Sequence, residues 1–127
     1  GFSFFSPGIK NTKNAIHSNF LSKLFIKKNK KIKGIKTCNM SFFKQDCINI
    51  NGFNEDFEGW GREDSEFVVR FFNSGILRKN IRFNAIQFHL WHSQNNRDSL
   101  MQNDFILRSS INKNSNWSKN GIDKYLK

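Results

Sequence analysis

The residues best suited to chemistry lie in one short run, "GWGREDSEF" at 59 to 67. Three carboxylates, Glu63, Asp64 and Glu66, follow directly on a tryptophan held between Gly59 and Gly61. Carboxylates at a helix start gain about 0.3 to 1 kcal/mol from the macrodipole and the free amides, so part of the pattern requires no function. The glycines are not explained that way. Glycine on both sides of Trp60 costs backbone entropy and lets the ring project from a close-approach loop. Indole rings stack on the apolar faces of sugars, and carboxylates accept paired hydrogen bonds from sugar hydroxyls. The run therefore points to a carbohydrate site.

The elements that must position this run alternate between helix and strand. Ile16, Phe20, Leu21, Leu24 and Phe25 recur at spacings of three and four, which predicts an amphipathic helix over 11–28. The mixture of β-branched and aromatic residues over 32–44, around Asn39, predicts a strand entering the core. "QDCINING" at 45 to 52 predicts a short helical turn closed at Asn51-Gly52. Phe67, Val68, Phe71 and Phe72 mark the apolar face of a helix that starts at the carboxylates and stops at Asn73-Ser74-Gly75. A second strand is predicted over 81–91 and a further helix around 98–111, before an Asn-rich end that holds Trp117. A chain of 127 residues is expected to be one domain with a modest core, much of it supplied by 15 phenylalanines.

Net charge is +11, yet its distribution says more than its size. Lysines crowd residues 10–36, above all "KKNKKIK" at 27 to 33, whereas most of the ten acids lie between Asp46 and Glu66. An acidic island would repel phosphate at the place where the sequence is most specialised, so nucleic acid is not the expected partner. The competing reading is a non-catalytic basic module that binds nucleic acid or an anionic membrane surface through residues 27–36. No apolar run reaches the roughly 18 to 20 residues that span a bilayer. Cys38 and Cys47 lack metal-ligand or disulfide spacing and are expected to be buried or incidental thiols. The chain begins at Gly1 and is expected to be a piece of a longer polypeptide. Its richness in Asn, Lys, Ile and Phe favours a bacterial source.

"CNMSFFKQD", "INGFNEDFEGWGREDSEF", Arg82-Phe83 and "HLWH" occur in an order that resembles the C-terminal half of inverting GT-A glycosyltransferases. The likeness is to bacterial family 2 enzymes and the galactosyltransferase C-terminal domain. It runs from about residue 35 to 97, and more loosely through "NGIDKYL" at 120 to 126. It implies an α/β fold corresponding to the C-terminal, acceptor-binding part of a GT-A domain. No Asp-x-Asp occurs in the chain, so the N-terminal nucleotide-binding half is expected to be absent from it. Studied alone, the chain is expected to be inactive and either to self-associate or to be marginally stable.

The resemblance also implies roles. Asp64 would be the catalytic base and Glu63 would orient the acceptor sugar. Trp60 would stack on a sugar, with Gly59, Gly61 and Asn39 shaping the sugar-binding surface. The donor would be a UDP-sugar, with galactose or an N-acetylhexosamine transferred, and the acceptor a glycan or lipid-linked glycan. A divalent metal, Mn²⁺ or in its place Mg²⁺, is implied, with His92 as a ligand and His89 standing where galactosyltransferases carry a methionine ligand. On a strand, positions three apart point to opposite faces, so both histidines could reach one metal only if the chain bends there. The implied setting is cytoplasmic, at the inner face of a bacterial cell membrane.

Overall fold

The computed structural model describes residues 16–87, 93 and 96–126. Two compact units form, each from two separate stretches: one within Gly1–Asn29 and Lys79–Gln94, the other from Lys30–Arg78 and Asn95–Lys127.

In the first unit, helix α1 (Asn19–Phe25) is shorter than the 11–28 helix expected, of which residues 11–15 lie outside the described residues. Ser18 sets its start, because the hydroxyl accepts from the Leu21 amide at 3.2 Å and satisfies a first-turn donor. Ile26 leaves the helix in extended conformation, and the chain enters strand β1 (Lys27–Asn29), which pairs with β2 (Arg78–Asn80). The strand predicted over 81–91 does not form where it is described. Residues 82–84 turn instead, with Phe83 in left-handed backbone at φ 67°. That turn brings the Phe83 carbonyl to the Ser18 amide at 2.9 Å and its ring edge-on to Phe25.

The second unit is arranged around a buried helix. The strand expected over 32–44 is absent: one turn of 3₁₀ helix at Thr37–Asn39 interrupts it, and α2 (Lys44–Asn49) begins where it should have ended. Ile32, Ile35 and Met40 pack one by one on the core as the chain crosses it, and the described residues offer them no neighbouring strand to pair with. α3 (Glu63–Asn73) matches its expectation, but every residue from Glu66 to Phe72 is buried, not one face alone. Phe53 stacks on Phe67 at 4.0 Å between ring centroids, while Phe42 and Phe71 meet the same ring edge-on. α4 (Leu100–Asn112) lies against α3 and buries Asn103, Leu107 and Ser110, which share one helix face.

Two helices end in the same way. At α3 the Ile76 amide donates to the Phe71 carbonyl and the Gly75 amide to Phe72, with Gly75 at φ 86°. At α2 the Gly52 amide donates to Cys47 and the Asn51 amide to Ile48, with Asn51 at φ 64°. Both are Schellman closures, which require a residue tolerant of left-handed backbone. Cys47 is half-buried, and that burial pushes its thiol pKa up; Cys38, by contrast, is exposed.

Asn51 then receives the C-terminal segment. Its side-chain amide donates to the Ser118 carbonyl at 2.8 Å and to Asp123 at 2.7 Å, and its oxygen accepts from the Asp123 amide at 2.7 Å. Gly121 passes so close that a Cβ there would stand 2.0 Å from the Asn51 carbonyl. Farther along, a hydrogen bond from Lys124 draws the Glu55 carboxyl pKa down and, reciprocally, raises that of Lys124. The Glu55 contribution is present above the ordinary carboxylate pKa and is lost as pH falls through its lowered value. That of Lys124 is present below the ordinary lysine pKa and is lost as pH rises through its raised value, so both act at neutral pH.

α3 carries the only fully buried ion pair among the described residues. Arg70 Nε and Nη2 donate to the two Glu66 oxygens at 2.9 and 3.0 Å, Ser110 donates to Glu66 at 2.9 Å, and Arg70 Nη1 donates to the Ile50 carbonyl. Removing one partner strands the other charge. Arg70→Met should lower unfolding stability by about 3 to 5 kcal/mol, read from the urea midpoint at constant m-value. A loss below about 1 kcal/mol would mean that Glu66 finds water or another donor.

Candidate active site

The run that opened the sequence forms a loop and a helix start. Gly59 at φ 64°, Gly61 at φ 107° and Arg62 at φ 78° place three left-handed residues within four positions, and the chain can then enter α3 at Glu63. The glycines allow a close approach, but it is to the protein itself. A Cβ on Gly59 would stand 3.1 Å from the Ser99 hydroxyl, and one on Gly61 would stand 3.0 Å from a Leu100 methyl. The buried Asn103 side chain clamps the same loop by donating to the Glu58 carbonyl at 2.9 Å. Trp60 is thereby fixed on top of the loop, 41 % exposed, with the Arg97 guanidinium 4.7 Å from its ring centroid. Arg62 has no capping side chain; it reaches across to Asp104, which also meets Arg108.

Both carboxylates proposed for chemistry sit in the first turn of α3. Asp64 Oδ2 accepts from the Thr37 amide at 3.0 Å, which ties the 3₁₀ turn Thr37–Asn39 to the helix start. Exposed Asn39 stands at the end of that turn. Asp64 Oδ1 and Glu63 Oε2 are both shielded from solvent yet have no hydrogen-bond partner among the described residues. A shielded carboxylate oxygen without a donor costs about 1 to 3 kcal/mol or more, so native proteins keep few of them outside functional sites. Glu66, the third acid of the run, points into the core to Arg70 and is structural.

Gly59, Trp60, Gly61, Glu63, Asp64 and Asn39 are thus carried by one loop, one helix start and one tethered turn of the same unit. His89 and His92 lie outside the described residues, and among those described no group of three or more His, Cys, Asp or Glu side chains could hold a metal. The described part of the site therefore does not of itself fit a metal ion. Thr37, Arg97 and Asn103 escaped sequence reasoning because each acts across a long separation. The Glu66–Arg70 spacing of four on a helix was the one signal that could have assigned Glu66 to structure.

Compared with known proteins, residues 19–92, more than half of the chain, match the family model described as "N-terminal domain of galactosyltransferase". The chain belongs to this galactosyltransferase family. That description says N-terminal domain, where the motif resemblance implies a C-terminal half. Chondroitin sulfate N-acetylgalactosaminyltransferase 1 of Mus musculus and that of Homo sapiens are each 34 % identical over 58 residues, 46 % of this chain. The match spans 11 % of the length of those relatives. No solved structure matches. The mixed helix and strand architecture is consistent with a fragment of a glycosyltransferase domain.

The loop can be tested without any substrate. Gly61→Ala combines a left-handed backbone with a methyl pressed on Leu100, and should cost about 1 to 3 kcal/mol in thermal unfolding. An unchanged melting temperature would show that the loop can relax away from α4.

Proposed function

We propose that the chain supplies the acceptor-binding surface and the catalytic base of an inverting GT-A glycosyltransferase. It would transfer galactose or an N-acetylhexosamine from a UDP-sugar to a glycan or lipid-linked glycan. Family membership supports a transferase, and the relatives' names make N-acetylgalactosamine the first sugar to try. The observation that carries the reading is Asp64: one oxygen is held by the Thr37 amide, while the other, like Oε2 of the adjacent residue Glu63, is shielded and has no partner among the described residues.

On this reading the acceptor hydroxyl donates to Asp64 Oδ1. As its oxygen forms a bond to the anomeric carbon, the proton passes to Asp64, and the bond to the diphosphate breaks on the opposite face with its electron pair leaving on the nucleotide. Glu63 accepts a second acceptor hydroxyl and fixes its angle, so that the attacking oxygen is presented in line. Trp60, held from one side by Arg97, stacks on a sugar with its other face. A divalent cation at His92, with His89 as second ligand, would offset the charge of the leaving diphosphate when bound.

In the full-length protein that carries this chain, Asp64→Asn should reduce turnover by about 10² to 10⁴ with donor affinity unchanged. Asparagine keeps an oxygen for the Thr37 amide, so the fold is preserved; turnover near wild type would refute the role. His92→Ala should weaken Mn²⁺ binding in calorimetry by about tenfold or more and raise the Mn²⁺ concentration needed for activity. If neither moves, His92 is not a ligand.

A further inference from the structure

Helix α1 leaves large apolar side chains outside. Ser22 is fully buried at 0 % exposure, while Phe20 and Leu24, one turn apart on the other side of the helix, are 72 % and 62 % exposed. The serine hydroxyl has no partner among the described residues. A helix facing water would present the opposite pattern. Lys23 lies on the same outer side as Phe20 and Leu24, and exposed Lys27 and Lys28 follow directly.

The charged side chains of the stretches that form this unit are of a single sign. Neither residues 1–29 nor 79–94, the stretches from which the first unit is drawn, contain any Asp or Glu, so all ten acids fall elsewhere. Lys79 and Arg82 of the same unit are exposed as well. The later lysines differ: Lys30 donates to the Phe72 carbonyl at 3.1 Å, and Ile32 and Ile35 pack on the acid-bearing second unit. The basic stretch 27–36 is therefore divided between the two units.

We infer that the outer face of α1 lies on an anionic lipid surface. Phe20 and Leu24 enter the boundary between headgroups and acyl chains, and Lys23, Lys27 and Lys28 meet lipid phosphates. Exposed apolar side chains among lysines, in a unit whose stretches carry no carboxylate side chain, suit an interfacial contact. Nucleic acid would use the lysines but gain little from Leu24. No described helix is long and apolar enough to cross a membrane, so the contact is along the surface. This inference is independent of the proposed transfer reaction.

The test is co-sedimentation of the 127-residue chain with phosphatidylcholine vesicles, with and without phosphatidylglycerol. Binding should require the anionic lipid and weaken as salt rises. Lys23→Gln, Lys27→Gln and Lys28→Gln together should lower partitioning by roughly 10², about five-fold each. Phe20→Ser with Leu24→Ser should lower it roughly tenfold with helical circular dichroism retained. The lysine variant tests the idea separately if the apolar one unfolds. Changing Lys30, Lys31, Lys33 and Lys36 to Gln should have the smaller effect. Equal binding to neutral vesicles, or a larger effect from the later lysines, would overturn the proposal. So would oligonucleotide binding that depends equally on Phe20 and Leu24, or a dimer in sedimentation that those two changes dissolve.

Discussion

The second unit depends on one buried guanidinium. Arg70 is fully buried at the centre of α3, where its planar fork reaches both oxygens of Glu66 and the carbonyl of Ile50. Such a group is tolerable in a phenylalanine-rich core only if every donor direction has an acceptor. That requirement fixes three things at once. Glu66 must turn inward, Ser110 on α4 must complete its shell, and the end of α2 must offer its Ile50 carbonyl to the helix. Hydrophobic contacts alone would let α3 rotate or slide among its phenylalanines; the ion pair permits one register. The next residue, Asn51, then anchors the C-terminal segment, so the 50–51 turn serves two distant parts of the chain.

Because Glu66 is held from inside, Asp64, two residues away around the helix, is turned to the other flank, with Glu63 between the two. Their neighbour Arg62 adopts a left-handed conformation without a capping side chain, an unfavourable way to begin a helix. The loop before it is held in that shape by Ser99, Leu100 and Asn103 at the start of α4. Local strain at the loop is offset by packing elsewhere, as expected where geometry matters more than local stability.

Much of the second unit was legible in the sequence. α3 followed from its carboxylate start, its Phe and Val positions and the Asn-Ser-Gly stop, and the Asn51-Gly52 turn followed from residue type. The candidate strands were not legible, because the β-branched and aromatic mixture over 32–44 and the alternation at Ile81, Phe83 and Ala85 report apolar surface without saying whether a neighbouring strand exists. α1 was legible as a helix, though shorter than the periodicity suggested. Its periodicity was real, but periodicity identifies an apolar face and not the direction in which it points. Of the candidate site, residue types and the loop were readable, whereas the Thr37 tether and the Arg97 cover on Trp60 arise from separations of 27 residues or more and leave no local trace.

The acids therefore divide by geometry where the sequence showed only a cluster. Positions 63, 64 and 66 of one helix turn project about 100° apart per residue, so a single turn cannot send all three to the same place. The core takes the one that faces it and neutralises it completely. The other two stay in the first turn, Asp64 tied to the 3₁₀ turn, and each keeps one shielded oxygen that is unpartnered among the described residues. Had all three been needed only to start the helix, water would be their natural partner and nothing would require their oxygens to be screened from it. Screening without pairing is costly, and its cost is understandable if a hydroxyl-bearing ligand supplies the missing donors.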